Sequence, residues 1–212
     1  MRETISCFTH ERFGDGMRDW SGITVGFALT GSHCTYAEVL PQMARFIDHG
    51  AEVVPIISHT LQTTDTRFGA GSIWIERISQ LTKQNVISTI VEAEPLGPSK
   101  RLDVMVIAPC TGASMSKLAN AITDSPVLMA AKAQMRNLRP LVIAMSTNDG
   151  LGLNAANWSK LINAKNIYFV PFGQDAPELK PNSLVAQMDL IMETCAAALD
   201  GKQMQPVLID RR

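Results

Sequence analysis

The sequence lacks the features that mark membrane, secreted and nucleic-acid-binding proteins. None of its apolar runs reaches the ~20 residues that a membrane-spanning helix requires. The first 22 residues contain no apolar stretch of the kind found in secretory signals. Lysine and arginine total 19 against 20 acidic residues, a net charge of −1, so no excess of positive charge favours binding to nucleic acid or to an anionic membrane. We therefore expect a cytoplasmic protein that binds neither.

Cysteine is scarce, and the common nucleotide-binding motifs are missing. The four cysteines form no C-x-x-C pair and the four histidines lack metal-ligand spacing, so we expect reduced thiols and no metal site. Neither G-x-G-x-x-G nor G-K-[ST] occurs. Apolar residues make up 46% of the chain, which is enough for one full core. We predict a single domain over residues 21–212, preceded by a polar, loosely packed extension over residues 1–20.

Short apolar runs alternate along the chain with segments of helical periodicity. We predict strands over residues 23–30, 51–58, 104–108, 141–145 and 167–170. A last helix is predicted to be capped by Ser183, with an apolar face running from Leu184 to Leu199. Residues 85–102 are left unassigned. The alternation predicts an α/β fold, a three-layer, doubly wound and mostly parallel sheet, which binds ligands at the carboxyl ends of its strands.

Two of the predicted strands run into turns that are rich in hydroxyl groups. Thr30, Gly31 and Ser32 follow the first strand and enter a helix, and Thr111 and Ser114 follow the strand over residues 104–108 in the same way. Glycine permits close backbone approach, and the start of a helix offers free amides to an anion. Two such turns at one sheet edge favour a mononucleotide site, although each turn alone is also compatible with simple capping.

The residues around these turns resemble a known protein family. The stretches TGSHCTY, APCTGASMSKLANAITDSP and RPLVIAMSTND are similar to the flavoprotein family of FMN-binding decarboxylases and flavin prenyltransferases. Within that family, the stretches TRFGAG, AEPLGPSK and NIYFVPFGQDAPELKPNSLVAQMD most resemble the branch of dipicolinate synthase B subunits. The resemblance covers residues 22–209 and implies a Rossmann-like flavoprotein fold.

The resemblance implies a cofactor site built from the same turns. Gly31 and Ser32 match the family's first phosphate-binding turn, Ser58 lies at the flavin edge, and Thr111 and Ser114 match the hydroxyls of the second turn. Thr30 belongs to the first turn as a further hydroxyl donor. FMN is the implied cofactor, and the family's flavin sites lie at subunit contacts, so we expect a homo-oligomer.

The resemblance also implies a reaction and a protein partner. Dipicolinate synthase oxidises dihydrodipicolinate to dipicolinate in the mother cell of sporulating bacteria, and its A subunit resembles a nicotinamide-binding protein. We therefore expect this chain to act with the A subunit of dipicolinate synthase, which would supply NAD(P), on a small cyclic dicarboxylate.

The sequence departs from the two known chemistries of the wider family. The decarboxylases carry a histidine where this chain has AEPLGPSKRLDV, and an asparagine where it has Ala113; of their PxMN segment only Asn148 remains. The charged residues of the prenyltransferases fall on Met129 and on the Ser146-Thr147 pair. Prenyl transfer is therefore not expected. An FMN-dependent decarboxylase remains an alternative only if a histidine elsewhere in the chain occupies the missing position in space, and His59 is the only nearby candidate.

Several residues are candidates for handling a dicarboxylate. Arg67 lies in a long polar loop, and Lys132 and Arg136 share one face of a predicted helix; of these we expect Arg67 and Arg136 to bind substrate, although a solvated basic face is the alternative for the helical pair. His33 and Asn148 are the candidate catalytic groups, because both follow strands at the predicted ligand edge. A second hypothesis is that the chain is a non-catalytic binding or assembly subunit.

Overall fold

The packed domain begins earlier than the sequence predicts. The computed structural model describes residues 18–211, so most of the extension expected over residues 1–20 lies outside the described residues. Trp20, however, is buried, and its ring packs edge-on against that of Phe46 with centroids 4.7 Å apart. Trp20 therefore belongs to the core, contrary to the expected boundary at residue 21.

Within the described residues 18–211, a seven-stranded sheet forms the centre of the fold. Five strands run parallel in the order β2-β1-β3-β4-β5, and the carboxyl end of β4 pairs in addition with β7, which pairs with β6. Both of these added pairings are antiparallel. The strands are β1 Thr24–Leu29, β2 Glu52–Ile57, β3 Val104–Cys110, β4 Leu141–Thr147, β5 Ile167–Phe169, β6 Phe172–Gly173 and β7 Leu184–Ala186.

Helices cover both faces of the sheet, as right-handed crossovers require. Helices α1 and α9 contact each other on one face, and α7 packs with α4 and α5 on the other. Every residue of β3 and of β4 is buried, which explains why both read as continuous apolar runs. The helices are α1 Tyr36–Asp48, α2 His59–Thr63, α3 Gly71–Thr82, α4 Ile90–Ala93, α5 Leu96–Ser99, α6 Gly112–Ala119, α7 Pro126–Arg136, α8 Ala155–Ile162 and α9 Ile191–Leu199.

The structure confirms the α/β, mostly parallel fold and corrects the region before the last helix. Ser183 does not cap a helix: its hydroxyl donates to the Asp175 carboxylate and lies 3.2 Å from the carbonyl oxygen of Thr147. The residues after it form β7, and α9 begins only at Ile191. The apolar residues from Leu184 onward therefore belong to a strand and then to a helix. The sequence pattern does not separate the two, because both elements bury the same kinds of side chain. Among residues 18–211, no helix has the length and apolarity needed to cross a membrane.

Candidate functional site

The two hydroxyl-rich turns lie side by side at the carboxyl ends of β1 and β3. The hydroxyl of Thr30 donates to the carbonyl of Pro109 at 2.7 Å and accepts from the amide of Thr111 at 3.0 Å. The Tyr36 hydroxyl donates to the Thr30 carbonyl at 2.7 Å. The predicted adjacency of the turns is thus confirmed. Thr30 itself is buried, so its hydroxyl joins the turns and does not face a ligand.

The second turn is closed by its own side chains and by the loop after β4. Thr111 caps α6 by accepting from the amide of Ser114 at 3.3 Å, and the two hydroxyl oxygens lie 3.1 Å apart. Gly112 is pressed against β4 and its loop: a Cβ at this position would lie 2.6 Å from the Thr147 hydroxyl and 2.6 Å from the Asn154 amide nitrogen. Only glycine fits this close approach without displacing a neighbour.

A cavity of about 290 Å³ opens between the first turn and the end of β4. Ser32 and Ser146 line it from these two elements, and their hydroxyl oxygens lie 2.9 Å apart. Asn148 and Cys34 also line it. The cavity is at the lower edge of the roughly 300–1,000 Å³ range of small-molecule sites. It therefore suits a ligand of one small ring better than a whole dinucleotide.

Two ion pairs also line the cavity. Lys180 donates to Asp175 at 2.8 Å, and Arg211 donates to Glu38 at 3.5 Å. Burial alone would raise the pKa of Asp175, but hydrogen bonds from Lys180 and Ser183, with the Lys180 charge, hold that pKa below its usual value. The hydrogen bond to Asp175 in turn raises the pKa of Lys180. Asp175 and Lys180 are therefore both ionised at neutral pH.

The loop that presents Asn148 is held by Asp149. The Thr147 hydroxyl donates to this carboxylate at 2.6 Å, and the Asn154 amide donates to its two oxygens at 2.8 and 2.9 Å. The hydrogen bond from Thr147, followed by that from Asn154, lowers the pKa of Asp149. Asp149 is therefore an ionised carboxylate that these hydrogen bonds hold in place. Asn148, the residue before it, is exposed at the cavity on the loop that Asp149 anchors.

Ser58 and Gly31, which follow β2 and β1, both lie against α2. Ser58 is buried and caps α2, with its hydroxyl accepting from the Leu61 amide at 3.4 Å. A Cβ at Gly31 would lie 2.7 Å from the Cγ2 atom of Thr60, so the first turn runs directly against α2. Ser58 is therefore positioned beside the first turn, with its oxygen already engaged in a cap.

The structure does not bring His33 to the cavity. The residue is only 7% exposed, and the centroid of its ring lies 5.0 Å from that of Tyr36. Neither ring nitrogen has a hydrogen-bond partner among residues 18–211. Burial lowers the pKa of His33, so the ring is neutral at pH 7. The expected acid or base at the ligand edge is instead an enclosed imidazole.

The predicted substrate-binding arginines are also placed away from the cavity walls. Arg67 is exposed, with its guanidinium 4.9 Å from the centre of the Phe68 ring. Arg136 lies in the last turn of α7, a helix that runs antiparallel to β3 and β4 and returns the chain to the amino end of β4. Arg136 and Lys132 are exposed on that helix. Arg136 lies at the opposite end of the sheet from the cavity, so the structure does not favour the predicted substrate-binding role.

Sequence reasoning missed the cations that do line the cavity, Lys180 and Arg211. Both lie far along the chain from the first turn, and no local pattern reveals that β6, β7 and the segment after them fold back to it. Cys34 is exposed, whereas Cys110 is buried and burial raises its pKa to about 12. Within the described residues, no group of three or more histidine, cysteine or acidic side chains is arranged to hold a metal ion.

The family of the chain follows from comparison with known proteins. The sequence model described as Flavoprotein matches residues 16–203. The chain belongs to the flavoprotein family. Its hydroxyl-rich turns at neighbouring strand ends are therefore part of a flavoprotein fold and not an isolated similarity.

Two relatives resemble this flavoprotein over nearly its whole length. The B subunit of dipicolinate synthase from Bacillus subtilis (strain 168) is 56% identical over 194 residues, which are 92% of this chain and 97% of the relative. The crystal structure of the corresponding B subunit from Bacillus halodurans is 58% identical, with a TM-score of 0.85; the match covers 92% of this chain and all of that one.

A more distant solved structure shares the fold alone. Burkholderia xenovorans DmrB, a protein solved in complex with FMN, is 16% identical with a TM-score of 0.58, and the match covers 75% of this chain and 92% of that chain. At this identity the similarity concerns the arrangement of strands and helices.

Proposed function

We propose that this flavoprotein acts as the B subunit of a dipicolinate synthase, together with the A subunit of that enzyme, in the cytoplasm of a sporulating mother cell. The observation that carries the proposal is the 56% identity to the Bacillus subtilis protein, which extends over 97% of that protein. A relationship that close and that complete favours a shared biochemical role, whereas a shared fold alone does not.

The reaction we propose is the aromatisation of a dihydropyridine dicarboxylate. A hydride and a proton leave the ring as the pyridine forms; the hydride passes to NAD(P)⁺, which we assign to the A subunit, and the proton passes to solvent. The cavity between Ser32 and Ser146 supports this assignment, because its size suits a single ring and its walls carry hydroxyls, an amide and two cations, each beside a carboxylate.

We also propose that the two turns hold the phosphate end of FMN. Gly31 presents bare backbone, Ser32 and Ser114 present hydroxyls, and α6 begins at the second turn with amides directed out of the helix. Thr111 contributes through its cap on Ser114, and Thr30 by holding the two turns together. When bound, FMN would supply a two-electron redox centre beside the cavity. The chain's own residues would bind the phosphate and orient the ring.

A binding and assembly role without flavin is the second candidate. The observation that favours it is the burial of His33, the expected acid or base, behind the first turn and away from the cavity. In this case the chain holds a dicarboxylate or stabilises the A subunit, which performs the oxidation by itself.

We further propose self-association, which size-exclusion chromatography with light scattering would measure.

The test is a reconstituted assay of dipicolinate formation. The A subunit is assayed by itself, with the wild-type chain, and with variants in which a bulky residue closes the site, Ser32→Phe and Thr111→Phe. Thr63→Phe, at an exposed position on α2, is the matched control. We expect activity to depend on this chain, to fall at least tenfold in both site variants and to persist in the control. Activity that does not change when the chain is omitted would remove it from the reaction.

A visible spectrum of the purified protein separates the two candidates. A flavin absorbance that Ser32→Phe and Thr111→Phe abolish supports the FMN site. A colourless protein that restores activity and does not bind added FMN supports the assembly role.

A further inference from the structure

Arg211 lines the cavity and has guanidinium N–H groups that lack hydrogen-bond partners among residues 18–211. Its side chain is 18% exposed, and its Nη1 atom is buried without a hydrogen-bond partner among residues 18–211. Its Nη2 atom contacts Glu38 at 3.5 Å, the outer limit of a hydrogen bond. A guanidinium has five donors in a rigid planar array, and leaving them unpaired away from water is costly. The group thus has unused capacity for an anion.

Lys180 provides a second cation on the same cavity. Its side chain is 49% exposed, so the amine can turn towards a ligand while it stays near Asp175. The two cations are paired with two carboxylates, Asp175 and Glu38, so the walls are neutral overall. A dianion at this wall would share Arg211 with Glu38 and Lys180 with Asp175, and it would use the donors that these carboxylates leave unpaired.

The segment after α9 holds Arg211 in place through backbone contacts with β6. The Phe172 amide donates to the Val207 carbonyl, and the Ile209 amide donates to the Phe172 carbonyl, both at 3.0 Å. A Cβ at Gly173 would collide with the Ile209 carbonyl oxygen, so this approach needs glycine. Arg211 follows two residues later and is therefore carried by an ordered segment.

We propose that Arg211 and Lys180 bind the two carboxylates of a compact cyclic dicarboxylate, with Ser32 and Ser146 as hydroxyl partners on the facing wall. This assignment rests on the proposed function and makes Arg211 the residue that distinguishes a dicarboxylate from a monocarboxylate. The planar guanidinium matches a carboxylate in a bidentate manner, which an ammonium group cannot do. A ligand with one carboxylate leaves one of the cations without a new partner.

Cys34 makes the proposal testable without an activity assay. This exposed thiol lines the cavity, 3.7 Å from the Ser32 hydroxyl, whereas Cys110 and Cys195 are buried. Its alkylation rate is measured in full-length protein carrying Cys7→Ser, since Cys7 lies outside the described residues. The probes are pyridine-2,6-dicarboxylate and pyridine-2-carboxylate. We expect the dicarboxylate to protect Cys34 and the monocarboxylate to need at least a tenfold higher concentration.

Variants of Arg211 decide whether this side chain carries the recognition. Arg211→Gln should raise the protecting concentration of the dicarboxylate at least tenfold, and Arg211→Lys should fall between Arg211→Gln and wild type. Gly173→Ala should weaken protection with Arg211 present, because it displaces the segment that carries it. Arg101→Gln, which alters an exposed ion pair with Glu52 before β3, is the matched control and should match wild type. Circular dichroism and thermal melting confirm that each variant is folded.

Three outcomes would overturn the proposal: no protection by the dicarboxylate, equal protection by both probes, or equal protection in wild type and Arg211→Gln. The two proposals also fail separately. Dipicolinate formation that depends on this chain without protection of Cys34 removes the dicarboxylate site and keeps the proposed function. Protection that depends on Arg211, in a protein whose omission leaves dipicolinate formation unchanged, removes the proposed function and keeps the site.

Discussion

The hydroxyl groups of Ser32 and Ser146 lie 2.9 Å apart although the two residues are 114 positions apart in the chain. Ser32 follows β1 and Ser146 lies in β4, and β3 runs between these strands. The first turn therefore extends over the end of β3 to reach β4. This contact forms one wall of the cavity and links the two halves of the parallel sheet at its carboxyl edge.

Replacing both serines should reveal this contact as an energetic coupling. Ser32→Ala and Ser146→Ala should each reduce the free energy of unfolding by about 1 kcal/mol, since each removes one partner of a partly buried hydrogen bond. The double variant should lose less than the sum, with a coupling of about 0.5–1.5 kcal/mol. Urea denaturation measures all three. Ser159→Ala on α8 combined with Ser32→Ala is the control pair and should be additive; an additive result for Ser32 and Ser146 would contradict the contact.

Thr30→Val should destabilise the protein while leaving its shape almost unchanged. The substitution removes a donor to Pro109 and an acceptor for Thr111 inside a buried site, so we expect a loss of about 1–3 kcal/mol in the free energy of unfolding. The matched control is Thr63→Val on α2, where the hydroxyl is exposed and bonds only to its own helix. Equal stability of the two variants would show that Thr30 does not join the turns.

Two glycine-to-alanine substitutions should change the free energy of unfolding by different amounts or in opposite directions. Gly112→Ala places a methyl group 2.6 Å from the Thr147 hydroxyl, so the loop after β4 must move, at a cost of about 1–3 kcal/mol. Gly97→Ala meets the nearest atom, the Cβ of Ala133, at an ordinary 3.6 Å. It should therefore be neutral or slightly stabilising. Thermal melting compares them, and a Gly112→Ala variant as stable as Gly97→Ala would refute the close approach.

The burial of His33 predicts a stability that falls as the pH is lowered. Its pKa is depressed in the folded state, so below about pH 6.5 the unfolded chain binds a proton more readily than the folded one. The contribution of neutral His33 to the free energy of unfolding is therefore fully present above that pH and is lost progressively as the pH falls below it. Urea denaturation at pH 7.5 and 5.5 should show a smaller pH effect in His33→Leu than in wild type. His59→Gln, at an exposed position, should behave as wild type does, and an unchanged pH effect in His33→Leu would exclude His33 as its source.

The sequence by itself determined the elements whose signals are local. Continuous apolar runs predicted β1 to β5 because strands buried on both faces need no polar residue. A serine followed by proline is typical of a helix start, and in the structure the Ser125 hydroxyl accepts from the Leu128 amide where α7 begins at Pro126. The two turns were predicted as neighbours because the carboxyl ends of parallel strands share one edge of the sheet.

Only the tertiary structure decided which charges reach the cavity. Whether a cation such as Arg136 or Arg211 lies at the carboxyl or the amino end of the sheet depends on the direction of the connecting segments and on pairings between distant residues. Strands as short as β6 and β7 leave almost no pattern in the sequence, yet they bring Lys180 and the segment bearing Arg211 to the first turn. Likewise, His33 is enclosed because Tyr36 packs against it, a contact that its polar neighbours in the sequence do not indicate.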